Sequence, residues 1–181
     1  MRAFHALRFP CVLLPALLAS ACGTTRPAAD RDTGVTFIVV RHAEKATDDP
    51  DDPHLSATGQ ARAVKLAQRL RGEPVTAVYA TEFRRTQQTG QPTADAHGLP
   101  VSAYYSRGPA AESAARWKRQ HGRGTVLVVG HSNTVPELVA SLCDCPTEPM
   151  DDTEYDRLSI VRIDKDGRTT LDVQAYGAPG P

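Results

Sequence analysis

The chain has no surplus of charge: across 181 residues, 21 Lys and Arg balance 21 Asp and Glu. That balance excludes attraction to nucleic acid or anionic lipid through bulk charge. Any anion must be held by a few placed residues. Aromatic residues are scarce, at 6%, and Trp117 is the single tryptophan. The core must therefore be built from Val, Leu, Ile and Ala. The apolar stretch from Cys11 to Leu18 is too short to span a bilayer as a permanent helix. No internal repeat is present. What remains, 40% hydrophobic and 23% charged, rules out a collagen-like or wholly disordered chain and argues for one domain.

Residues 1–21 carry Arg2 and Arg8 and no acid, then the apolar stretch, then the small residues Ala19, Ser20 and Ala21. This is the three-part layout of a secretory signal peptide. Leu18-Ala-Ser-Ala-Cys22 resembles a bacterial lipobox, in which the Cys thiol is acylated and the bond before it is cut. Ala19 and Ala21 also suit an ordinary signal peptidase cutting at the same bond. A Cys at the first mature position is otherwise unexplained, so lipidation at Cys22 is expected. Gly23, in place of Asp, directs the expectation to the outer membrane. The expected organisation is a lipoprotein-type signal peptide at 1–21, a flexible tether at 22–34, a folded domain at 35–176 and a disordered tail at 177–181. Export also permits a bridge between Cys143 and Cys145. A Cys-x-Cys ring is small and strained, so reduced or loosely paired loop thiols are expected. Zinc-binding pairs ordinarily stand further apart.

Within the domain, Val35–Val40 is a short β-rich apolar run that reads as a strand buried on both faces. Ala63, Leu66, Ala67 and Leu70 recur at helical spacing, with Ser56 as N-cap and Gly72 as stop. Further strands are predicted at 75–80, 101–105 and 125–129. Helices are predicted at 83–96, kinked or split by Pro92, at 110–120, and at 133–142. Two closing strands, 158–163 and 169–175, are joined by the hairpin signal Asp164-Lys-Asp-Gly167. Alternation of strands and helices predicts an α/β fold: three layers, α/β/α, around a mostly parallel sheet with an antiparallel C-terminal hairpin.

In open α/β sheets, sites form beyond the carboxyl ends of the strands. Two strands here end in histidine, at Arg41-His42-Ala43-Glu44-Lys45 and at Gly130-His131-Ser132-Asn133. A third ends in Thr81-Glu82-Phe83-Arg84-Arg85, adding two arginines to the same edge. Arg and His clustered in this way suit a phosphoryl group, which Arg binds through paired hydrogen bonds. The helix after His131 is expected to aim its N-terminal N–H groups at the same place.

These segments resemble the motifs of the histidine phosphatase superfamily, branch 1, which holds phosphoglycerate mutases and many phosphatases. Arg41-His42-Ala43-Glu44 is similar to its R-H-G-E. Leu55-Ser-Ala-Thr-Gly59 is similar to L-T-x-x-G, Thr81 to Thr89 to S-x-L-x-R-A-x-Q-T, and Gly130 to Asn133 to G-H-G-N. Ala43 and Ser132 stand where the family has Gly. The resemblance implies His42 as a nucleophile that becomes phosphohistidine, with Arg41, Arg85 and His131 holding the phosphoryl oxygens. Arg84 takes a variable, outward position. Asn133, Glu44 and Lys45 are candidate substrate contacts.

The family's acid, a Glu in an E-x-x-x-G context, has no clear counterpart. Glu112 falls at about the right distance after Arg85, in what reads as a helix start where acids are common anyway. The acidic run Asp48, Asp49, Asp51, Asp52 reads as a solvated loop.

The expected activity is metal-independent hydrolysis of a phosphomonoester or phosphohistidine, with no cofactor. The substrate would be a phosphorylated small molecule or phosphoprotein, and the only membrane partnership is the anchor on Cys22. The rivals are a phosphoglycerate mutase-type phosphomutase, for which Arg107 and Lys118 are the basic candidates over the pocket, a non-catalytic phosphate-binding lipoprotein, and a metal module using the histidines with Cys143 and Cys145. Nothing in the pattern specifies an oligomeric state. Metabolic labelling with palmitate should mark the wild-type protein and spare Cys22→Ala; an unlabelled, soluble wild type would remove the anchor from the account.

Overall fold

Side-chain alternation builds the sheet. In β1 (Val35–Arg41), Val35, Phe37 and Val39 pack into one apolar cluster and Ile38 and Val40 into another. A strand sends alternate side chains to opposite faces, and here both faces are covered. The other strands are β2 (Val75–Thr81), β3 (Val101–Tyr104), β4 (Gly124–Gly130), β5 (Arg157–Ile163) and β6 (Thr169–Ala175). They form one sheet in the order β3-β2-β4-β1-β5-β6. The first four run parallel, while β5 is antiparallel to β1 and β6 to β5. The computed structural model from which this is drawn describes Met1 and residues 34–180. Cys22, the predicted signal peptide beyond Met1, and the tether before Gly34 lie outside those residues.

Four helices complete the layers: α1 (Ala57–Leu70), α2 (Arg84–His97), α3 (Ala110–Gln120) and α4 (Val135–Cys143). Leu66 and Leu70 of α1 and Ala94 of α2 pack with Ile38, Val40, Val78 and Leu127 on one face. Trp117 of α3 and Leu138 and Leu142 of α4 pack with Phe37, Val39, Val126 and Val128 on the other. Trp117, fully buried, lies 5.0 Å from Tyr79 and 5.2 Å from Tyr104 between ring centroids. Three of the aromatics thus meet at one point of the core. Lys118 Nζ donates to the Ser141 carbonyl at 2.8 Å, which ties α3 to α4.

Three sequence expectations need correction. Pro92 does not split its helix: α2 is continuous through it and closes at Gly98, which adopts φ 65°. The missing N–H leaves only the Gln88 carbonyl without its helical donor. The helix packs closely on β2 beside it: a Cβ on Gly90 would stand 3.0 Å from Val78 Cγ1. Second, α4 begins at Val135 rather than Asn133, because residues 131–134 form a turn closed on the His131 carbonyl by the N–H groups of Thr134 and Val135, at 3.1 and 2.9 Å. Third, Cys143 and Cys145 are bridged. Asp144, left-handed at φ 54°, turns the chain back on itself and leaves the two Cα atoms 5.2 Å apart, within reach of a disulfide.

Helix α1 bears directly on the segment after β1. Ser56 Oγ accepts from Gly59 N–H at 3.1 Å and caps the helix. Gly59 lies against the backbone of Glu44, and a methyl group there would run into the Glu44 carbonyl oxygen. Gly59→Ala should therefore cost about 1–3 kcal/mol, read by urea unfolding. Gly72→Ala, with nothing within 4 Å, should stay within about 0.5 kcal/mol of wild type. Equal effects would show that the contact at Gly59 is relaxed in solution.

Candidate active site

Register brings the two histidines together. Arg41 pairs with Gly130 across the parallel β1–β4 ladder, and His42 N–H donates to the Gly130 carbonyl at 2.9 Å. His42 and His131 each follow their strand by one residue, with ring centroids 5.3 Å apart. β2, on the other side of β4, brings Thr81 and the start of α2 to the same edge. β5 runs the opposite way, with Leu158 opposite Val40, so its amino end and the loop before it face this edge.

The His42 ring is fixed by its own neighbour. Nδ1 lies 2.8 Å from the Ala43 carbonyl, which can only accept, so Nδ1 carries the proton and Nε2 keeps its lone pair. Residue 43 is fixed in turn: its N–H donates to Thr89 Oγ1 at 2.9 Å, and that hydroxyl donates to the Arg85 carbonyl at 2.7 Å. Burial is the main reason that His42 titrates down at about 3, against the pull of the Ala43 bond; His131, Arg41 and Arg85 push the same way as burial. His131 falls to about 4, again through burial and then the Arg85 charge. Its Nε2 lies 3.0 Å from Thr81 Oγ1, which lies 2.7 Å from Thr86 Oγ1. Both rings are neutral at ordinary pH.

The arginines are held by dipoles and rings. Arg41 Nη1 donates to the carbonyls of Asp151, Asp152 and Glu154 at 3.1, 2.7 and 3.3 Å, and its guanidinium lies 4.2 Å from the Tyr155 ring centroid. Arg85 lies 4.3 Å from the Phe83 ring centroid. Arg41 Nε and Arg85 Nε and Nη1 are buried donors with no protein partner among the described residues. The neighbouring Arg84 points outward, 44% exposed, and is paired with Asp49 at 2.8 Å and Asp52 at 3.1 Å. Part of the acidic loop expected to be solvated is thus a clasp on Arg84.

Arg41, His42, Arg85 and His131 line one cleft of about 310 Å³, joined by Lys45 and Asn133. Glu44 is not among them. Its carboxylate is taken by Arg62, whose Nε and Nη2 approach it at 3.0 and 2.7 Å, so it is a structural partner and not a substrate contact. Glu112 is also outside the cleft, exposed in the first turn of α3. Arg107 does line the cleft, whereas Lys118 is the α3–α4 tie.

Sequence reasoning gave no role to Thr89, to Tyr155 or to Asp152, the last of which lines the cleft. One signal was available for Asp152. A strand antiparallel to β1 must start at the edge where β1 ends, which places the residues before it at the site.

Residues 37–105 match the family model of the histidine phosphatase superfamily, branch 1. The fold is that of the protein histidine phosphatase SixA, solved with tungstate, at 25% identity and a TM-score of 0.60 over 77% of this chain and 96% of that one. It is also shared by mycobacterial glucosyl-3-phosphoglycerate phosphatase, at 16% identity and a TM-score of 0.56 over 80% and 100% of the two chains. A phosphoserine phosphatase from Entamoeba histolytica, solved with 3-phosphoglyceric acid, is similar at 12% identity and a TM-score of 0.56 over 80% and 97%. No curated protein matches the sequence. The motif match, the sheet and the cleft agree in their likeness to one class, the branch 1 histidine phosphatases. The protein is a hydrolase of phosphorylated substrates.

The low histidine pKa values set a pH dependence. Each ring binds a proton less readily folded than unfolded, where the value is 6.5. The stability tied to their neutral state is therefore full above about 6.5 and declines as pH falls toward about 3 to 4. Histidine NMR should show both rings still neutral at pH 5. Urea midpoints should fall between pH 7 and 5, with a shallower fall in His42→Gln. Either ring titrating near 6.5 would contradict the burial argument.

Proposed function

We propose that the protein hydrolyses phosphomonoesters or phosphohistidine through a covalent phosphohistidine on His42. The observation that carries this reading is the state of His42: a neutral ring, with its proton fixed on Nδ1 by Ala43, in a cleft shared with the guanidinium groups of Arg41 and Arg85. A neutral imidazole nitrogen is a competent nucleophile without a metal. Nε2 attacks phosphorus and the bond to the leaving group breaks. Arg41, Arg85 and His131 take the phosphoryl oxygens, with Asn133 and Lys45 at the margin. Water then attacks phosphorus, the P–N bond breaks and His42 is regenerated. Phosphoryl transfer asks mostly for positioning and charge neutralisation, and the cleft supplies both.

The phosphatase reading is preferred to a mutase by the connection between β3 and α3. Only residues 105–109 separate the two elements there. A mutase must shield its phosphohistidine from water, and this connection is too short to form a cover over the cleft. The structural relatives include a protein histidine phosphatase as well as phosphatases of small phosphorylated acids. Both substrate classes therefore belong to the reading. We also propose that the enzyme works at the bacterial cell envelope, tethered through a lipid on Cys22. That part rests on the signal peptide pattern and lipobox alone.

His42→Ala should abolish turnover. Arg85→Ala should cost on the order of 10²-fold or more in kcat/KM, and Arg84→Ala far less, since Arg84 is occupied with Asp49 and Asp52. Activity should survive a strong chelator. Rapid acid-free quenching should trap an intermediate that is acid-labile and alkali-stable, as a phosphoramidate is. Equal losses at the two arginines, or isomerisation outpacing phosphate release with a bisphosphate primer, would overturn this assignment.

A further inference from the structure

A proton must reach the leaving group of an ester, and the expected acid, Glu112, does not line the cleft. Glu44 is paired with Arg62, Glu112 is outside, and Glu82 accepts from Ser106 N–H and Oγ at 2.9 and 2.7 Å. Among the described residues that line the cleft, one carries a carboxylate: Asp152.

Asp152 is held on two sides by residues of the site. Ser132, directly after His131, donates its Oγ–H to Asp152 Oδ1 at 2.7 Å. The Asp152 backbone carbonyl accepts from Arg41 Nη1 at 2.7 Å, and Arg41 Nη2 stands 3.7 Å from Oδ1. The carboxylate is thus fixed against residues that follow both catalytic strands, although its side chain is 88% exposed. Its loop is braced as well. Arg157 donates to the Glu148 and Pro149 carbonyls at 2.9 and 2.8 Å and pairs with Glu154 at 2.6 Å.

We propose that Asp152 is the proton-transfer residue of the His42 reaction, an inference that rests on the phosphohistidine reading above. The role requires Asp152 to carry the proton when the substrate is bound. In the first step Nε2 of His42 bonds to phosphorus, the bond from phosphorus to the ester oxygen breaks, and the Asp152 carboxyl proton passes to that oxygen. In the second step water attacks phosphorus, the P–N bond breaks, and the water proton passes to the Asp152 carboxylate. Phosphate leaves and no proton is left unaccounted for. A substrate whose leaving group departs without a proton needs Asp152 in the second step alone.

The test is Asp152→Asn, which keeps an oxygen for Ser132 and the backbone carbonyl for Arg41 but cannot carry the proton. Wild type and variant are assayed on 4-nitrophenyl phosphate, on phenyl phosphates with progressively more basic leaving groups, and on glycerol 2-phosphate. The variant should lose less than about 10-fold in kcat/KM on 4-nitrophenyl phosphate. The loss should grow with leaving-group basicity to on the order of 10²-fold or more. With 4-nitrophenyl phosphate the variant should also show a burst and accumulate phospho-His42, since the second step has lost its base. Equal losses across the series, or no loss at all, in an enzyme that still requires His42 would overturn the role of Asp152 alone. Activity that survives His42→Ala would overturn the phosphohistidine reading and this inference together.

Discussion

Two guanidinium groups at the cleft meet no carboxylate closer than 3.7 Å, and the rest of the site is arranged around that constraint. Arg62 shows the ordinary solution: as buried as Arg41, it is matched by Glu44 at 2.7 Å. Removing a charge from water is costly, and a close counter-ion is the usual compensation. Arg41 and Arg85 rely instead on backbone carbonyls and on the faces of Tyr155 and Phe83. Such partners offset desolvation without cancelling the charge. The cleft therefore remains positive, which serves a phosphoryl dianion. Burial first, and then the same positive field, keep His42 and His131 unprotonated. The charge that suits an anion thus also favours a ring with a free lone pair.

Holding such a site requires a frame that does not yield. The β1–β4 ladder sets the spacing of the two histidines through its register, not through side-chain contacts. Apolar layers on both faces of the sheet keep that register fixed, since a slip of one residue would turn every core side chain outward. Helix α1 reaches into the site at Gly59 and through Arg62, and α2 through Thr89. Each contact fixes the short stretch 42–44, whose backbone sets the His42 tautomer.

The parts legible in the sequence were those whose position follows from local order. Arg41, His42 and His131 follow apolar runs, so their place at the carboxyl edge could be read from strand direction. The helix over 110–120 and the strand over 169–175 stand as expected. What was not legible depends on partners distant in the chain. Glu44 reads as a site residue until Arg62, on α1, is seen to hold it. Glu112 has the right spacing after Arg85, but it lies exposed in the first turn of α3, outside the cleft. Pro92 reads as a break because the sequence does not show the packing of Gly90 against Val78. The Cys143–Cys145 bridge depends on one left-handed residue, Asp144, a conformation that Asp adopts in a minority of cases.

The reversal of β5 divides the catalytic rim into two kinds of material. Three strand ends are locked to the sheet and cannot change length without disturbing the core. The span 144–156 is joined to the frame only through its ends and a few braces, such as Thr147 Oγ1 on the Pro136 carbonyl at 3.0 Å. It nonetheless delivers three carbonyls to Arg41 and a carboxylate to the cleft lining. The residues that line the cleft from the strand ends and the carboxylate proposed to serve the leaving group are consequently carried on separate stretches of chain. A lineage can remodel this one connection, lengthening or recharging it to suit a new leaving group, while the residues that grip phosphorus are inherited untouched.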